Sequence, residues 1–597
     1  MSDFIFTDTL RQRVKEAFEK LYGTSIDAAQ ITINDTPPEF TGDYSIVTFA
    51  MSKAARQSPP AVAEALGNAL VETLDGIDSY NVVKGFLNVS MKDEWWLQRM
   101  TQAASDPAFG TLKRLGEKVM IEYGGPNTNK PLHLGHLRNI LIGYSVAQIL
   151  DAAGYDVIKV NIYNDRGVHI CKSMLAYHKF GHGETPVTSG IKGDHLVGDY
   201  YVKFENALKE EAKALVAQGV AEDEARKQAP LSKEVQQMLV AWENNQPEVR
   251  ALWTAMNSWV YVGFEQTFER IGADFHKHYH ESETYLLGKT IVEEGVASGA
   301  FFKKEDGSVW VDLTADGLDQ KLLLRADGTS VYITQDIGTA DLRFKDFGAT
   351  RMIYTVATEQ DYHFKVLKLV CEKLHKPYAR GIYHLSYGMV DLPTGKMKSR
   401  EGTVVDADDL LDEMEATAEQ RTIELGKVDG FTDDEKKKLY RTIGLGALKF
   451  FILRIDPRKR MIFDPNESID FHGFTGPFVQ YTHARIRSVL RKAQEQGLAH
   501  DTPHRYETLQ PAERSLIQLL CAFPEHVRDA AASYDPANIA NYMFKIAKSY
   551  NHFYTEHSIL NAETQEEKIF RLQLSAFTTR VIKSGMKLLG IDVPEKM

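Results

Sequence analysis

Between Val119 and Val146 the chain switches once from strand-like to helix-like hydrophobic spacing, and that switch constrains the fold more than any other feature. Val119 to Tyr123 is an apolar run with strand character, and Gly124, Gly125 and Pro126 turn the chain. Leu134, Leu137, Ile140, Leu141 and Val146 then recur at helical spacing. The segment therefore predicts strand, loop, helix. In an α/β sheet, a loop at the carboxyl end of a parallel strand that feeds a helix amino terminus is where nucleotide phosphates bind. Within Pro126-Asn-Thr-Asn-Lys-Pro-Leu-His-Leu-Gly-His136, the first helical turn is expected to carry His133 and His136 with Gly135 between them. Two imidazoles can then donate to phosphate oxygens, and little side chain blocks their approach. Histidines at a helix start also serve as caps or packing groups, and this stretch alone fits both uses.

A second loop bears on that choice. Gly388-Met-Val-Asp-Leu-Pro-Thr-Gly-Lys-Met-Lys-Ser-Arg-Glu-Gly402 is basic and flanked by glycine. Lys396, Lys398 and Arg400 would bring positive charge to a triphosphate, with Gly395 and Gly402 as flexible boundaries. Between the two loops lies Tyr332-Ile-Thr-Gln-Asp336, which follows a turn at Ala326-Asp-Gly-Thr329. Tyr332 and Asp336 are four apart and share one face of a helix. A carboxylate beside a phenol suits a guanidinium, which takes a bidentate acceptor and a flat partner. Asp336 fits a helix cap or a surface ion pair as well.

The first loop resembles the HIGH motif, and the second the KMSKS loop, of class I aminoacyl-tRNA synthetases, in the same order along the chain. The whole pattern is similar to arginyl-tRNA synthetase from end to end. That resemblance implies a catalytic set of Lys130, His133, Gly135, His136, Lys396, Lys398, Ser399 and Arg400, with ATP against His133, His136, Gly388, Met389 and Lys398. It assigns Glu122, Asn127 and Gln360 to the ammonium and carboxylate end of arginine, and Tyr332 and Asp336 to the guanidinium. Glu281 is implied as a second carboxylate there; without the resemblance, Glu122 reads as an ion-pair partner for Lys118.

Two positions depart from the family pattern. The second motif ordinarily carries a lysine where this chain has Ser399, so another cation must help neutralise the leaving pyrophosphate. Lys130, three residues before His133, is the expected one. In Asn164-Asp-Arg-Gly167, Arg166 stands where many relatives have an aromatic residue.

At 597 residues the chain is long enough for about four domains by the usual size prior. Its 43% hydrophobic and 25% charged content is ordinary for a globular protein. Seventy basic against 82 acidic residues give a net charge of -12, which argues against indiscriminate coating of nucleic acid but leaves room for local basic patches. Cys171, Cys371 and Cys521 are too scattered for a zinc knuckle or a disulfide framework, so no metal centre and a reducing, cytoplasmic setting are expected. The amino terminus lacks a basic region followed by an apolar core, and no run approaches about 18 apolar residues, so neither export nor membrane insertion is expected.

The expected fold is α/β, a Rossmann-like parallel-sheet catalytic domain with an α+β amino-terminal domain and an all-α carboxyl-terminal domain. Residues 1–112 mix helical periodicity with turn-bounded segments, and by resemblance contact the outer corner of tRNA. Residues 113–405 form the catalytic domain, with Val157 to Tyr163 a further parallel strand and a helical insertion at about 181–272. In the insertion, Val249, Leu252, Trp253, Met256, Trp259, Val260, Phe264 and Phe268 form an apolar stripe read as core. Residues 406–470 are expected to be a helical connecting and stem-contact region, and 471–597 a helical anticodon-binding domain. There, Arg485, Arg487, Arg491 and Lys492 lay a basic face along one helix, and Arg454, Arg458, Lys459 and Arg460 make a basic turn. Such faces are commonly just solvated; by resemblance they meet anticodon bases.

The resemblance implies a monomer that activates L-arginine with Mg-ATP and transfers it to tRNA(Arg), without zinc. It also implies that bound tRNA is needed for activation. Editing is not expected, because a site built to hydrogen-bond a guanidinium rejects competitors by about 10⁴-fold. Two further readings are a different class I ligase and a non-catalytic RNA-binding paralogue. Missing zinc ligands weigh against a cysteinyl enzyme, Tyr332 with Asp336 against a glutamyl one, and intact Lys130, His133, Gly135 and His136 against a paralogue without activity.

Overall fold

The computed structural model describes residues 5–391, 393, 405–426, 428, 430–498 and 506–597. Near the amino terminus, strands β1 (Ile33–Asp35), β2 (Tyr44–Val47), β3 (Ile77–Val83) and β4 (Phe86–Met91) pair antiparallel in the order β1-β2-β4-β3. Helices Phe6–Tyr22 and Pro59–Thr73 pack on this sheet through Leu10, Val14, Phe18, Val62, Leu66 and Leu70, all fully buried. The α+β expectation for this region is met.

The central sheet is parallel throughout. Its strands are β5 (Lys118–Glu122), β6 (Asp156–Tyr163), β7 (Lys277–His280), β11 (Arg351–Ala357) and β12 (Gly381–Tyr387), in the order β12-β11-β5-β6-β7. Between β7 and β11 a small antiparallel sheet intervenes, formed by β8 (Phe302–Lys303), β9 (Val309–Val311) and β10 (Lys321–Leu324). The central sheet grows outward from β5 in both directions, so the crevice at the carboxyl ends of β5 and β11 is its topological switch point. Alternation along each strand sends Val119, Ile121 and Ile353 to one face and Met120, Met352 and Tyr354 to the other. Helix Leu134–Ala152 is in the first core, and helix Tyr332–Phe347 in the second.

The insertion is helical as expected, with Gly193–Val216, Pro230–Glu243 and Pro247–Ile271 as its long members. Met256, Val260, Phe264 and Phe268 of its apolar stripe are buried, while Trp253 and Trp259 are partly covered. Beyond Val405 the chain is helical with one correction to the sequence reading. Residues 454–475 are largely irregular, and Met461–Ile462 (β14) pairs in parallel with Val390–Asp391 (β13). Strand pairing with a distant partner overrides the local helical pattern there.

The basic surfaces have partners within the chain. Arg487 pairs with Glu595 at 2.5 Å, Arg491 donates to the Glu595 carbonyl at 2.8 Å, and Arg485 donates to Asn551 at 2.5 Å. The carboxyl-terminal segment thus folds back over Arg487 and Arg491. Arg460 pairs with Asp391 at 2.7 Å, and Arg458 donates to the Tyr383 hydroxyl at 3.3 Å. These side chains of the basic turn brace the catalytic domain.

Candidate active site

The switch-point crevice opens into a cleft of ≈ 1660 Å³. Glu122 ends β5 at its wall, and Gly124 and Gly125 follow at φ 96° and 61°. A Cβ at Gly124 would come within 2.7 Å of Asn161 Oδ1, so the turn needs glycine for space as well as for its left-handed backbone. Asn139 fastens the same turn from inside helix Leu134–Ala152. Its Oδ1 accepts the Gly124 N–H at 2.6 Å, and its Nδ2 donates to the Thr355 carbonyl at 2.6 Å. One buried amide therefore locks β5 to β11 beneath the crevice.

His133 is the helix N-cap rather than a residue of the first turn, a one-position correction. Its Nδ1 accepts the Gly135 N–H at 3.1 Å, and His136 Nδ1 accepts the His133 N–H at 3.2 Å. Sequence reasoning set capping against phosphate binding; the geometry allows both. With each Nδ1 committed as an acceptor, the neutral ring carries its proton on Nε2 and keeps one donor. Burial, reinforced by the nearby Lys130 ammonium, pushes His133 down to about 4. His136 is also driven down, by burial first and then by His133 and Lys130. Both rings are consequently neutral at ordinary pH. A Cβ at Gly135 would lie 2.9 Å from His133 Cε1, so this glycine makes room for the imidazole itself.

Lys130 also borders the cleft, where burial lowers its pKa. Lys396, Lys398, Ser399 and Arg400 lie outside the described residues. The segments on either side of them are placed. Gly388 N–H donates to the Pro457 carbonyl at 2.8 Å, and Met389 lines the cleft. On the other side, Leu134 N–H donates to the Val405 carbonyl at 3.1 Å and Ala407 N–H to the Leu132 carbonyl at 3.0 Å. Val405 and Ala407 thus lie directly against the histidine segment.

Carboxylates line the cleft as well. Helix Tyr332–Phe347 presents Tyr332, Asp336, Thr339 and Arg343 to it as one stripe, as the four-residue spacing of the first two predicts. Tyr332 is 78% exposed, leaving its ring open to a ligand. Asp336 Oδ2 meets His363 Nε2 at 2.5 Å. Glu281 sits at the end of β7 and lines the same cleft, where burial, opposed by Arg166 and reinforced by Asp165 and Asp336, raises it to about 7. Asn127 and Gln360 complete the lining. Glu122 pairs with Arg343, whereas Lys118 donates to the Phe347 carbonyl at 3.0 Å. The Lys118 pairing that sequence position suggested does not form.

Several site residues escaped the sequence reading. Asp165 is fully buried and accepts from Ser282 N–H, Ser282 Oγ and Tyr261 hydroxyl, each at 2.8 Å, which fixes the turn that carries Glu281. Arg166, noted only as a departure, pairs with Glu243 at 2.9 Å and lies 3.9 Å from the Tyr285 ring centre. His363 had no signal beyond its place near Gln360. Arg343 had one, since it continues the helical stripe of Tyr332 and Asp336. A cluster of Asp194, His195 and Asp408 has cation-ligand spacing, but the Lys192 ammonium occupies it, at 3.0 Å from Asp194 and 2.7 Å from Asp408.

Three stretches match described families: residues 8–91 the arginyl tRNA synthetase N terminal domain, 103–464 the class I (R) tRNA synthetase catalytic domain, and 479–597 the DALR anticodon binding domain. The chain is 53% identical over 590 residues to an arginine–tRNA ligase of Amoebophilus asiaticus, covering 98% of this chain and 99% of that one. It is 52% identical over 594 residues to an arginine–tRNA ligase of Bacteroides fragilis, covering 99% of each. Its fold is similar to that of the Thermus thermophilus arginyl-tRNA synthetase, with a TM-score of 0.79 at 24% identity and 99% of each chain covered.

Proposed function

This chain belongs to the class I arginyl-tRNA synthetases and is an arginine–tRNA ligase, and on that premise we propose how its cleft divides the work. Arginine lies with its guanidinium between the Tyr332 ring and the Asp336 and Glu281 carboxylates. Its ammonium and carboxylate reach Glu122, Asn127 and Gln360. Mg-ATP lies over the histidine turn, with its phosphates toward the Nε2–H donors of His133 and His136 and the Lys130 ammonium. Met389 and Gly388 border the nucleotide, and Lys396, Lys398, Ser399 and Arg400 meet the phosphates from the second loop.

In the first step a carboxylate oxygen of arginine attacks the α-phosphorus, an arginyl-adenylate bond forms, and pyrophosphate leaves with the electrons of the broken P–O bond. In the second, the terminal 2'-hydroxyl of tRNA(Arg) attacks the arginyl carbonyl and AMP departs. No side chain acts as a nucleophile. The protein's contribution is positioning and stabilisation of charge on the transferring phosphoryl group. Neutral imidazoles suit this role because they donate without adding a cation that would bind substrate and transition state alike.

The reading extends to the whole chain. Residues 1–112 and 471–597 contact tRNA, 113–405 carries the chemistry, and 406–470 connects them. The enzyme works as a cytoplasmic monomer.

One observation carries the assignment: Lys130 and the neutral imidazoles of His133 and His136 line the same cleft as Glu122, Glu281, Tyr332 and Asp336. Pyrophosphate exchange with each amino acid in turn, with tRNA present, tests it. Exchange and charging should be confined to arginine. Equal exchange with lysine, or none with any amino acid, would refute the division.

A further inference from the structure

The second-core face of the central sheet is apolar around β5 and β11, yet it contains an arginine. Arg343 is 2% exposed, among the largest fully buried side chains of the protein. Its guanidinium carbon lies 5.1 Å from the Tyr279 ring centre and 5.5 Å from that of Tyr354. Glu122 is its one carboxylate partner among the described residues, held through Nη2 and Oε2. The register explains the contact, since Glu122 lies directly across from Tyr354 in the β5–β11 ladder and both point to this face. A buried ion pair adds little net stability over apolar packing, so its place at a cleft wall matters more than its energy.

Resting on the assignment of Glu122 to the arginine ammonium, we propose that Arg343 is the positioning residue that keeps the Glu122 carboxylate aimed into the cleft. The buried guanidinium is paired with one oxygen, Oε2, and in this proposal Oε1 is the oxygen that meets the ligand. Deprived of that cation, a carboxylate on an apolar sheet face turns toward water.

The helix makes this anchor part of the recognition element. Arg343 lies seven residues beyond Asp336, two turns further along the same stripe and about 10 Å along the axis. Its side chain leans toward the helix amino terminus, and so back toward the Asp336 end. A single rigid helix therefore fixes both the direct contact for the guanidinium and the support for the ammonium contact, and sets the span between them.

The test measures competition in the charging reaction of the full chain, comparing arginine with 5-guanidinopentanoate, which keeps the guanidinium and carboxylate but lacks the ammonium. The wild type should prefer arginine. Arg343→Met and Glu122→Gln should each cut that preference by at least about 30-fold, the low end for truncating one partner of a buried charge pair. The double variant should lose no more than either single one, and Arg343→Lys should recover part of the preference. Should Arg343→Met fail to fold, the double variant, which removes both charges, and Arg343→Lys carry the comparison. Equal weakening of both ligands by the Arg343 variants, with Glu122→Gln still selective against arginine, would overturn the positioning role and leave Glu122 in place. A preference untouched by Glu122→Gln would overturn the ammonium assignment, and the proposal with it.

Discussion

The imidazoles of His133 and His136 lie 3.8 Å apart between ring centres, and each gives its Nδ1 to a backbone N–H of the turn they share. Capping and the proposed phosphate binding are thereby joined. The helix start consumes one nitrogen of each ring and so dictates which nitrogen carries the proton that faces the cleft.

Gly135→Ala should separate these two functions. Alanine favours the helix by propensity, so thermal stability should hold or rise slightly. The added Cβ would meet the His133 ring at 2.9 Å and must displace it. Adenylate formation in single turnover should fall about 10²-fold, the scale for losing one transition-state donor. Wild-type rates would show that the ring position is not critical.

Lys130→Ala tests the charge offered in place of a lysine at position 399. Its ammonium is half-buried beside the histidines. Adenylate formation should slow by roughly 10² to 10³, with arginine binding retained. An unchanged single-turnover rate would assign the neutralising charge to the second loop instead.

Asp336→Ala should strike arginine use and leave ATP use nearly intact. Removing it takes one carboxylate from a guanidinium and also frees His363. The expected loss is about 2 to 5 kcal/mol in arginine kcat/KM. Wild-type arginine kinetics would refute the guanidinium assignment.

Glu281 predicts a pH dependence. Its carboxyl is raised to about 7 by burial, partly offset by Arg166 and increased by Asp165 and Asp336. Because the folded-state value lies above the ordinary one, the protonated form is favoured in the free protein, and its contribution to stability is lost as pH rises toward 7. Arginine binding has the opposite sign, since only the ionised form attracts the guanidinium. The arginine KM should fall by about tenfold from pH 6 to pH 8, in line with the ionised fraction. Glu281→Gln should flatten that profile; an identical slope would remove Glu281 from the site.

The expected dependence of activation on tRNA has a structural route. The Leu588 carbonyl accepts the Ser145 hydroxyl at 2.9 Å, so the carboxyl-terminal helices dock on the helix that His133 caps. Truncation near Ser468 would strip that helix of its cover and confuse unfolding with uncoupling. RNA-free full-length protein gives the cleaner measurement: pyrophosphate exchange should require cognate tRNA, which would favour the competent state by differential affinity. Robust exchange without tRNA would remove the coupling.

What the sequence by itself determined is local. The switch of period after Val119, the turn at Gly124 and Gly125, the His133–His136 helix start and the Tyr332–Asp336 spacing are each written within one or two turns of chain. The two basic-loop flanks and the order of the three domains were legible for the same reason.

Tertiary structure alone decided the partners. Whether Glu122 meets Lys118 or Arg343, whether Asp336 faces water or His363, and whether Arg487 is free or covered by Glu595 depend on strands and helices brought together from distant parts of the chain. A charged side chain carries no mark of its partner in its own neighbourhood. Its pairing follows from which sheet face it lands on, and that face is set by the register of β5 against β11 and by the helix packed over them.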